Sequence, residues 1–309
     1  MIYLIKTKPV VPSAKIGHEP TVTNPYPWEV DEDNFPVNSL TSEKLRFLLN
    51  YARSASLDSN NRFRSFTIVN DFIELRVDDR TLDRVNRREL IIGCGVALFN
   101  LRVAIRHFGY RDLVEFPQSS DRNLLARIGL GSRRKANLEE NFLFRSIFKK
   151  CPERLNFTQR HLPKSLITEL ELATDAECTS LQISVAIADT CRDEVIELID
   201  RGDRLQTTDP AFYRKLILEI DSSYDPIPTA SSATTLMLIG SQDDNDYAWL
   251  ATGEALAHLI LRARIDDVGV SFHNQPIQIP KLRSRIQAMF PENGHPQVLL
   301  CLGYIENSN

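Results

Sequence analysis

Two long apolar runs dominate the hydrophobic pattern of the chain, at residues 87–110 and 247–272. The first opens with charged residues, and its apolar positions then lie on most sides of a helical wheel. This pattern predicts a core helix between two layers. At the helical rise, ~24 residues span ~36 Å, about the diameter of a small domain.

The two runs are similar when they are aligned on Gly95 and Gly253. Both have Ala two residues later and Leu three and six residues later, and each then reaches another glycine and a short strand-like run. Any two buried helices share part of such a pattern, which is the simpler interpretation. We favour a chain of two related halves, each contributing one central helix to a shared interface.

Periodicity elsewhere predicts further helices and strands in mixed order. In the first half we expect a helix at 39–54 with Thr41 as its N-cap, and a hairpin with an Asn70-Asp71 turn. The other first-half segments are strands at 66–69, 72–77, 113–116 and 124–130, and a helix within 133–150. In the second half, Pro163 starts a helix and Asp189 caps another through residue 200. The remaining segments are strands at 180–188, 234–239, 268–272 and 297–304, helices at 209–220 and 281–290, and a loop at 273–280.

This order predicts an α+β fold with three segments. Residues 1–38 are rich in proline and form an extended arm, with Trp28 and Phe35 as anchors that pack on the body. Residues 39–162 and 163–309 form the two halves.

Composition narrows the classes of function. The chain has 309 residues and a formal charge of -4, which argues against a nucleic-acid or anionic-membrane partner. Five cysteines without CxxC spacing indicate neither a disulfide framework nor a zinc site, and Cys94 and Cys301 lie in apolar runs where burial is expected. No apolar run approaches ~18 residues and no signal-peptide pattern is visible, so we expect a cytoplasmic protein outside the membrane.

Familiar catalytic and metal motifs are absent from the sequence, including GxGxxG, GxxxxGK[ST], GxSxG and HExxH. Three polar loops next to buried elements stand out instead. The loop at 53–64 carries three Arg, three Ser and two Asn, a set of donors that suits a phosphate dianion without a metal. A solvated surface loop is an equally good interpretation of its composition. The other two loops are 273–278 and 294–297.

At these loops the sequence resembles the nitroreductase-like flavoproteins, and within them the single-chain, two-half branch that includes the Acg-type proteins. The matching segments are NPYPWEVDEDNFP, LRFLLNYA, RRELIIGCGVALFNLRVAIRHFGY, DRLQTTDPAF, WLATGEALAHLIL, the NQP loop and GHPQVLLCLGY. The resemblance implies a mostly antiparallel sheet flanked by helices, with two similar halves forming a pseudo-dimer that holds flavin mononucleotide (FMN) at the interface. No catalytic side chain is implied, because the cofactor carries the chemistry.

The resemblance also implies a set of cofactor-binding residues. Arg53, Ser56 and Asn60 would lie beside the flavin phosphate and ribityl chain, with Arg62 and Arg64 adding positive charge. The loop with Asn274, Gln275 and Gln278 would face the ring, and Pro296 and Gln297 match the Pro-Gln pair before the last strand.

Two hypotheses for the function follow. The first is an FMN-dependent oxidoreductase that takes electrons from NAD(P)H and passes them to a small acceptor, a nitro compound or a quinone. The second is a pseudoenzyme: a flavin-sequestering protein or accessory subunit with an altered site. Three departures from the family pattern motivate it. NNRFR replaces the usual Asn-Thr-Gln-Pro-Trp pattern, KKCPERLNF stands where the family has an Arg-rich RRTxR-like stretch, and Cys301 stands in place of an arginine. A homodimer and a separate protein partner are both alternatives for its assembly.

Overall fold

The computed structural model describes most of the chain, and the account below is confined to that part. The described residues are 30–53, 64–78, 83–117, 121–149, 157–175, 183–187, 191–208 and 235–306. The predicted helix at 209–220 and the predicted anchor Trp28 lie outside these ranges.

Eight strands form two four-stranded antiparallel sheets. The first sheet contains β1 Arg64–Val69, β2 Phe72–Val77, β3 Tyr110–Glu115 and β4 Leu124–Arg133, in the spatial order β1-β2-β4-β3. The second contains β5 Ile183–Ile187, β6 Thr235–Ser241, β7 Val268–Phe272 and β8 His295–Tyr304, in the order β5-β6-β8-β7. All six strand pairings are antiparallel, and the two sheets have the same order of strands.

Eight α-helices accompany the sheets in the described ranges. They are α1 Thr41–Arg53, α2 Arg84–His107, α3 Leu138–Ile147, α4 Lys164–Asp175, α5 Arg192–Thr207, α6 Asp246–Ile265, α7 Gln275–Gln278 and α8 Pro280–Met289. In each sheet the long helix, α2 or α6, connects the second strand to the third. The predicted fold class is therefore confirmed: the fold is α+β, with antiparallel sheets flanked by helices.

The helices α2 and α6 cross at the two glycines on which their sequences align. A Cβ built on Gly95 would lie 2.0 Å from the carbonyl oxygen of Leu250, and one built on Gly253 would lie 2.0 Å from the carbonyl oxygen of Ile92. Leu250 and Ile92 each precede the glycine of their own helix by three residues. The contact is therefore reciprocal, as in an isologous interface.

The central helices are buried on nearly all sides. α2 has a mean hydropathy of 1.4 over an 18-residue window, long and apolar enough by composition to cross a membrane, but 83% of that window is buried inside the protein. The expectation that no run reaches this length was therefore wrong. Charged side chains nevertheless join the two helices: Arg102 donates to Glu254 at 2.6 Å, and Arg87 pairs with Asp246.

The described end of the amino-terminal arm packs on the first half as its aromatic residues predicted. The segment 30–38 contains a short 3-10 turn, Glu32–Asn34. Phe35 is buried and stacks on Phe108 at a ring-centroid distance of 4.3 Å, with Phe47 edge-on to both rings. Cys94 and Cys301 are buried, as their apolar surroundings predicted.

Several predicted boundaries need correction. Thr41 is the first residue of α1 and not its N-cap, since Glu43 and Lys44 donate to the carbonyl of Leu40. α2 begins three residues before the predicted start because Asp83 caps it, accepting from the Asn86 amide. It ends at His107, and Gly109 follows with a positive φ of 86°.

The second half departs from prediction in three places. α5 continues to Thr207 and does not stop at residue 200, because Val195, Leu198, Ile199 and Gln206 form one continuous buried face. The predicted loop 273–280 contains α7, and β8 begins two residues early at His295. Asp189, the predicted cap of α5, lies outside the described residues.

Candidate cofactor site at the central helix

The predicted phosphate-binding loop is only partly described. Ser56, Asn60 and Arg62 lie outside the described residues, and Arg53 is the last residue of α1, with a side chain that is not described. Arg64 begins β1, and its Nη1 donates to the carbonyl of Gly93 in α2 at 3.3 Å. Of this predicted group, Arg64 is thus fixed to the amino-terminal half of α2.

The predicted ring-facing loop reaches the same half of α2. Its residues form α7, and the Nη2 of Arg88 donates to the carbonyl of Ile277 at 3.1 Å. At the next residue, the Nε2 of Gln278 donates to the Oε1 of Glu89. Residues 64 and 275–278, far apart in sequence, therefore meet at positions 88–93 of α2.

Most amides of the predicted ring-facing set are engaged within the protein. The Oδ1 of Asn274 accepts from the backbone N–H of Leu299 at 2.9 Å, and the Oε1 of Gln278 accepts from Gln206. The carbonyl of Pro296 accepts from the Nε of Arg283 at 2.8 Å. The bonds of Asn274 and Gln278 attach the loop to β8 and α5, and the bond of Pro296 joins β8 to α8. Two of the predicted ring-facing groups therefore also hold the loop in place.

Gln297 belongs to a charged cluster around Asp244, between β6 and α6. Its Nε2 donates to Asp244 at 3.0 Å, while Arg283 contributes two hydrogen bonds at 2.8 and 2.9 Å and Trp249 one at 2.8 Å. Arg84 of α2 donates to the same carboxylate at 3.0 Å. Burial by itself raises the pKa of Asp244, but the hydrogen bonds from Arg283, Trp249 and Gln297 outweigh burial and hold the pKa far below its usual range.

Arg88 differs from the other arginines of this region in that it is buried and also lacks an ion-pair partner among the described residues. Only 4% of the residue is exposed, no carboxylate lies within ion-pair distance in the described part of the chain, and its Nε has no hydrogen-bond partner there. Burial lowers its pKa to about 10, and the positive charge of Arg283 adds to the shift. The guanidinium stays charged at neutral pH, and a buried charge without a counter-ion is costly.

Two carbonyl oxygens near Arg88 are also unsatisfied. Gln275 and Gln206 are 2% and 9% exposed, and the Oε1 of each lacks a donor among the described residues. Both side chains belong to the contact between α7 and α5, where Gly202 lets the chains approach closely. Buried polar atoms of this kind are usually satisfied by a ligand or by water.

A buried histidine precedes the loop. His273 is 3% exposed, its Nε2 lies 3.2 Å from the Oγ of Ser271, and burial lowers its pKa to about 4. It is therefore neutral at physiological pH. Within the described residues, no group of three or more Cys, His, Asp or Glu side chains could hold a metal ion.

The donor set fits an anionic cofactor at this end of α2. Arg88 supplies a buried positive charge without an ion-pair partner among the described residues, and Arg84 and Arg283 share one carboxylate, that of Asp244. Sequence reasoning named neither Arg88 nor Asp244 nor Arg283 as a site residue. A signal for Arg88 was nevertheless present, because it lies beside Leu90 and Ile91 at the start of a largely apolar core helix, where a charged side chain can become buried.

No family model matches the chain. It is 24% identical over 252 residues to proteins named "Putative NAD(P)H nitroreductase" from two strains of Mycobacterium tuberculosis, covering 70% of this chain and 71% of each relative. The predicted resemblance is confirmed at the level of the superfamily: the chain is similar to proteins named as NAD(P)H nitroreductases. The two-half Acg-type branch stays a prediction.

Solved structures give weaker likenesses. A nitroreductase with bound FMN from Bacteroides fragilis has a TM-score of 0.40 and 14% identity, covering 56% of this chain and 91% of its own. A crystal structure titled as a putative NADH dehydrogenase/NAD(P)H nitroreductase, from Parabacteroides distasonis, has a TM-score of 0.36 and 15% identity, covering 54% and 89%. TM-scores below 0.5 give no information about the site.

Proposed function

We propose that the chain is an FMN-dependent NAD(P)H oxidoreductase that reduces a small acceptor, a nitro compound or a quinone. When bound, FMN would supply the redox chemistry by taking a hydride from NAD(P)H and passing electrons to the acceptor. The observation that carries the proposal is the buried guanidinium of Arg88, which lies where α7 meets α2 and has no carboxylate within ion-pair distance among the described residues.

The protein's own contribution would be binding and orientation. The cations near Asp244 and Arg88 would attract the phosphate, since a guanidinium forks well onto phosphate oxygens. α7 would present backbone and amide groups toward the ring, with Gln275 as the amide that has an unsatisfied oxygen. Burial would exclude water from these contacts and strengthen them.

The two halves would form the binding interface as a pseudo-dimer. The common strand order and the reciprocal contact of Gly95 with Gly253 support this arrangement. We place the halves at 39–162 and 163–309, with 1–38 as an arm, and assign the protein to the cytoplasm. Neither nucleic acid nor membrane is a proposed partner.

The first test is retention of FMN by the purified chain. Protein is incubated with FMN and desalted, and the visible spectrum between ~350 and ~500 nm is recorded with the melting temperature. A retained flavin spectrum and a raised melting temperature are expected, because a ligand that binds only the folded state stabilises it. A colourless protein with an unchanged melting temperature would contradict the proposal.

Arg88→Gln separates cofactor binding from packing. If Arg88 binds the cofactor, the variant binds FMN at least tenfold more weakly than the wild type. The cofactor-free variant is then as stable as the cofactor-free wild type or more stable, because a costly buried charge has been removed. If Arg88 is only a packing residue, the cofactor-free protein loses stability instead. Arg122→Gln changes an exposed arginine and is the matched control.

A second candidate function is a flavin-sequestering or accessory protein without turnover. The observation that favours it is the engagement of Asn274, Gln278 and Gln297 in hydrogen bonds inside the protein. NAD(P)H oxidation distinguishes the two functions. Flavin-loaded protein that oxidises NAD(P)H faster than free FMN supports the enzyme, and retention of flavin without oxidation supports the sequestering protein.

A further inference from the structure

A cleft lies at the opposite end of α2 from the candidate cofactor site. It encloses about 550 Å³ and is bordered by the last turn of α2 at His107, by Phe108 and by Gly109. From positions 88–93 to position 107 the helix rises ~21–29 Å. The two sites are therefore separate.

The cleft has an apolar floor between two walls of different origin. One wall is the segment 32–37, and the other is the connection from β4 to α3 at 133–136, with Asn141 beside it. Phe35 and Phe108, stacked on one another, line the cleft together with Val37, which is 47% exposed. Partly open apolar surface next to polar walls is typical of a small-molecule site.

The basic residues of the cleft differ in whether they form ion pairs. On the α3 side, Arg134 forms a two-pronged ion pair with Glu140, at 2.9 and 2.5 Å. Its exposed neighbours Arg133 and Lys135 have no carboxylate within 4.0 Å in the part of the chain that the structure describes. The guanidinium of Arg133 lies over the ring of Tyr110, 5.2 Å from its centroid, which holds this charge near the cleft.

The opposite wall is acidic. A carboxylate oxygen of Glu32 lies 3.0 Å from the Nε2 of His107, and Asp33 is exposed beside it. An anion in the cleft would be repelled from this wall and attracted to Arg133 and Lys135. The two walls would therefore fix the direction in which an elongated anion binds.

We propose that this cleft binds a small organic anion with an aromatic or branched apolar body. The carboxylate or sulfonate of the ligand meets Arg133 and Lys135, and its body covers Phe35, Phe108 and Val37. Such a ligand touches both the arm segment and the β4–α3 connection, so binding ties the end of the arm to the first half. This site is independent of the cofactor proposal.

The test uses anilinonaphthalene sulfonate, a fluorescent aromatic anion, as the probe. Wild-type protein is expected to bind it saturably at one site. The double variant R133Q/K135Q should weaken binding at least tenfold, whereas R122Q/K164Q, which also removes two exposed cations, should change it less than twofold. Non-saturable fluorescence, or equal weakening in both double variants, overturns the proposal.

Competition on wild-type protein tests the role of the charge without a variant. Benzoate is expected to displace the probe at concentrations at least tenfold lower than benzamide, which has the same body and no charge. Equal displacement by the two compounds shows that the cleft does not select anions and overturns the proposal.

Discussion

The first sheet, β1–β4, and the second, β5–β8, have the same strand order and differ in how their faces are covered. Along β1 and along most of β3, every second residue is exposed. In β6 every residue is buried, and in β8 every residue between the two ends is buried. At matching edges of the two sheets, β3 thus meets solvent on one face, whereas the first four residues of β7 are all buried.

The connections between strands explain this difference. In the first half a two-residue turn joins β1 to β2, and residues 116–123 join β3 to β4. In the second half, residues 188–234 join β5 to β6, and 273–294 join β7 to β8. These longer connections contain α5, α7 and α8, which pack on the outer face of the second sheet in a separate hydrophobic cluster.

The same connections hold much of the candidate cofactor site, including Gln206, the loop 274–278 and Arg283. Matching positions after β3 and β7 show the contrast: Phe116 is 46% exposed, while His273 is 3% exposed. The two sheets thus share one strand order, and the helices that cover the second sheet add the polar side chains of the candidate site.

The largest expected effect comes from the crossing of the two central helices, α2 and α6. Gly95→Ala places a methyl group 2.0 Å from the backbone oxygen of Leu250, so the helices must separate. We expect a loss of more than about 4 kcal/mol in the free energy of unfolding, measured by urea denaturation. Gly253→Ala should cost about the same, because the contact is reciprocal.

Gly93→Ala is the matched control, two residues away in the same helix. A Cβ there meets nothing within 4 Å, so alanine should be neutral or stabilise the helix by about 0.5–1 kcal/mol. A Gly95→Ala protein as stable as Gly93→Ala would mean that the two helices do not cross at the glycines.

The next effect tests the unequal covering of the two sheets. Leu238→Ala in β6 removes a fully buried side chain from the outer cluster and should cost about 3 kcal/mol. Leu113→Ala in β3 changes a side chain that is 45% exposed and should cost less than about 0.5 kcal/mol. Similar losses in the two variants, measured by the same urea denaturation, would show that both sheets are covered alike.

Hydrophobic periodicity predicted much of this fold because the central elements are long and strongly patterned. The hairpin at 66–77 and the strand at 268–272 agree with the structure because Asn70, with a positive φ, and a continuous apolar run are local signals. α7 was not predicted, because four residues form a helix only when neighbours hold it, here Gln206 and Gly202 of α5.

The site was less accessible to sequence reasoning for a related physical reason. A local pattern can suggest that Gln278 and Gln297 are polar groups near a cofactor, but it cannot show that each already has partners inside the fold. Likewise, Arg84 and Arg87 each form an ion pair with a carboxylate, whereas Arg88 has no such partner in the described ranges. Both properties depend on tertiary contacts, which the spacing of residues along the sequence does not reveal.

The smallest expected effect concerns His273, at the start of the long connection after β7. Its pKa is about 4 in the folded protein because of burial, against an ordinary value near 6.5. Between these values the unfolded chain binds more protons, so folding stability rises with pH through this window and is fully present above it. From pH 7.5 to pH 5.0, His273 should account for a loss of about 2 kcal/mol.

Urea denaturation at the two pH values measures this loss. His273→Gln should reduce the difference between pH 7.5 and pH 5.0 by that amount, and His161→Gln, which replaces an exposed histidine, should leave it as in the wild type. A pH dependence unchanged by His273→Gln would mean that the imidazole is solvated or paired when charged. The connection after β7 would then be open to water like the one after β3, and the contrast between the halves would not extend to this position.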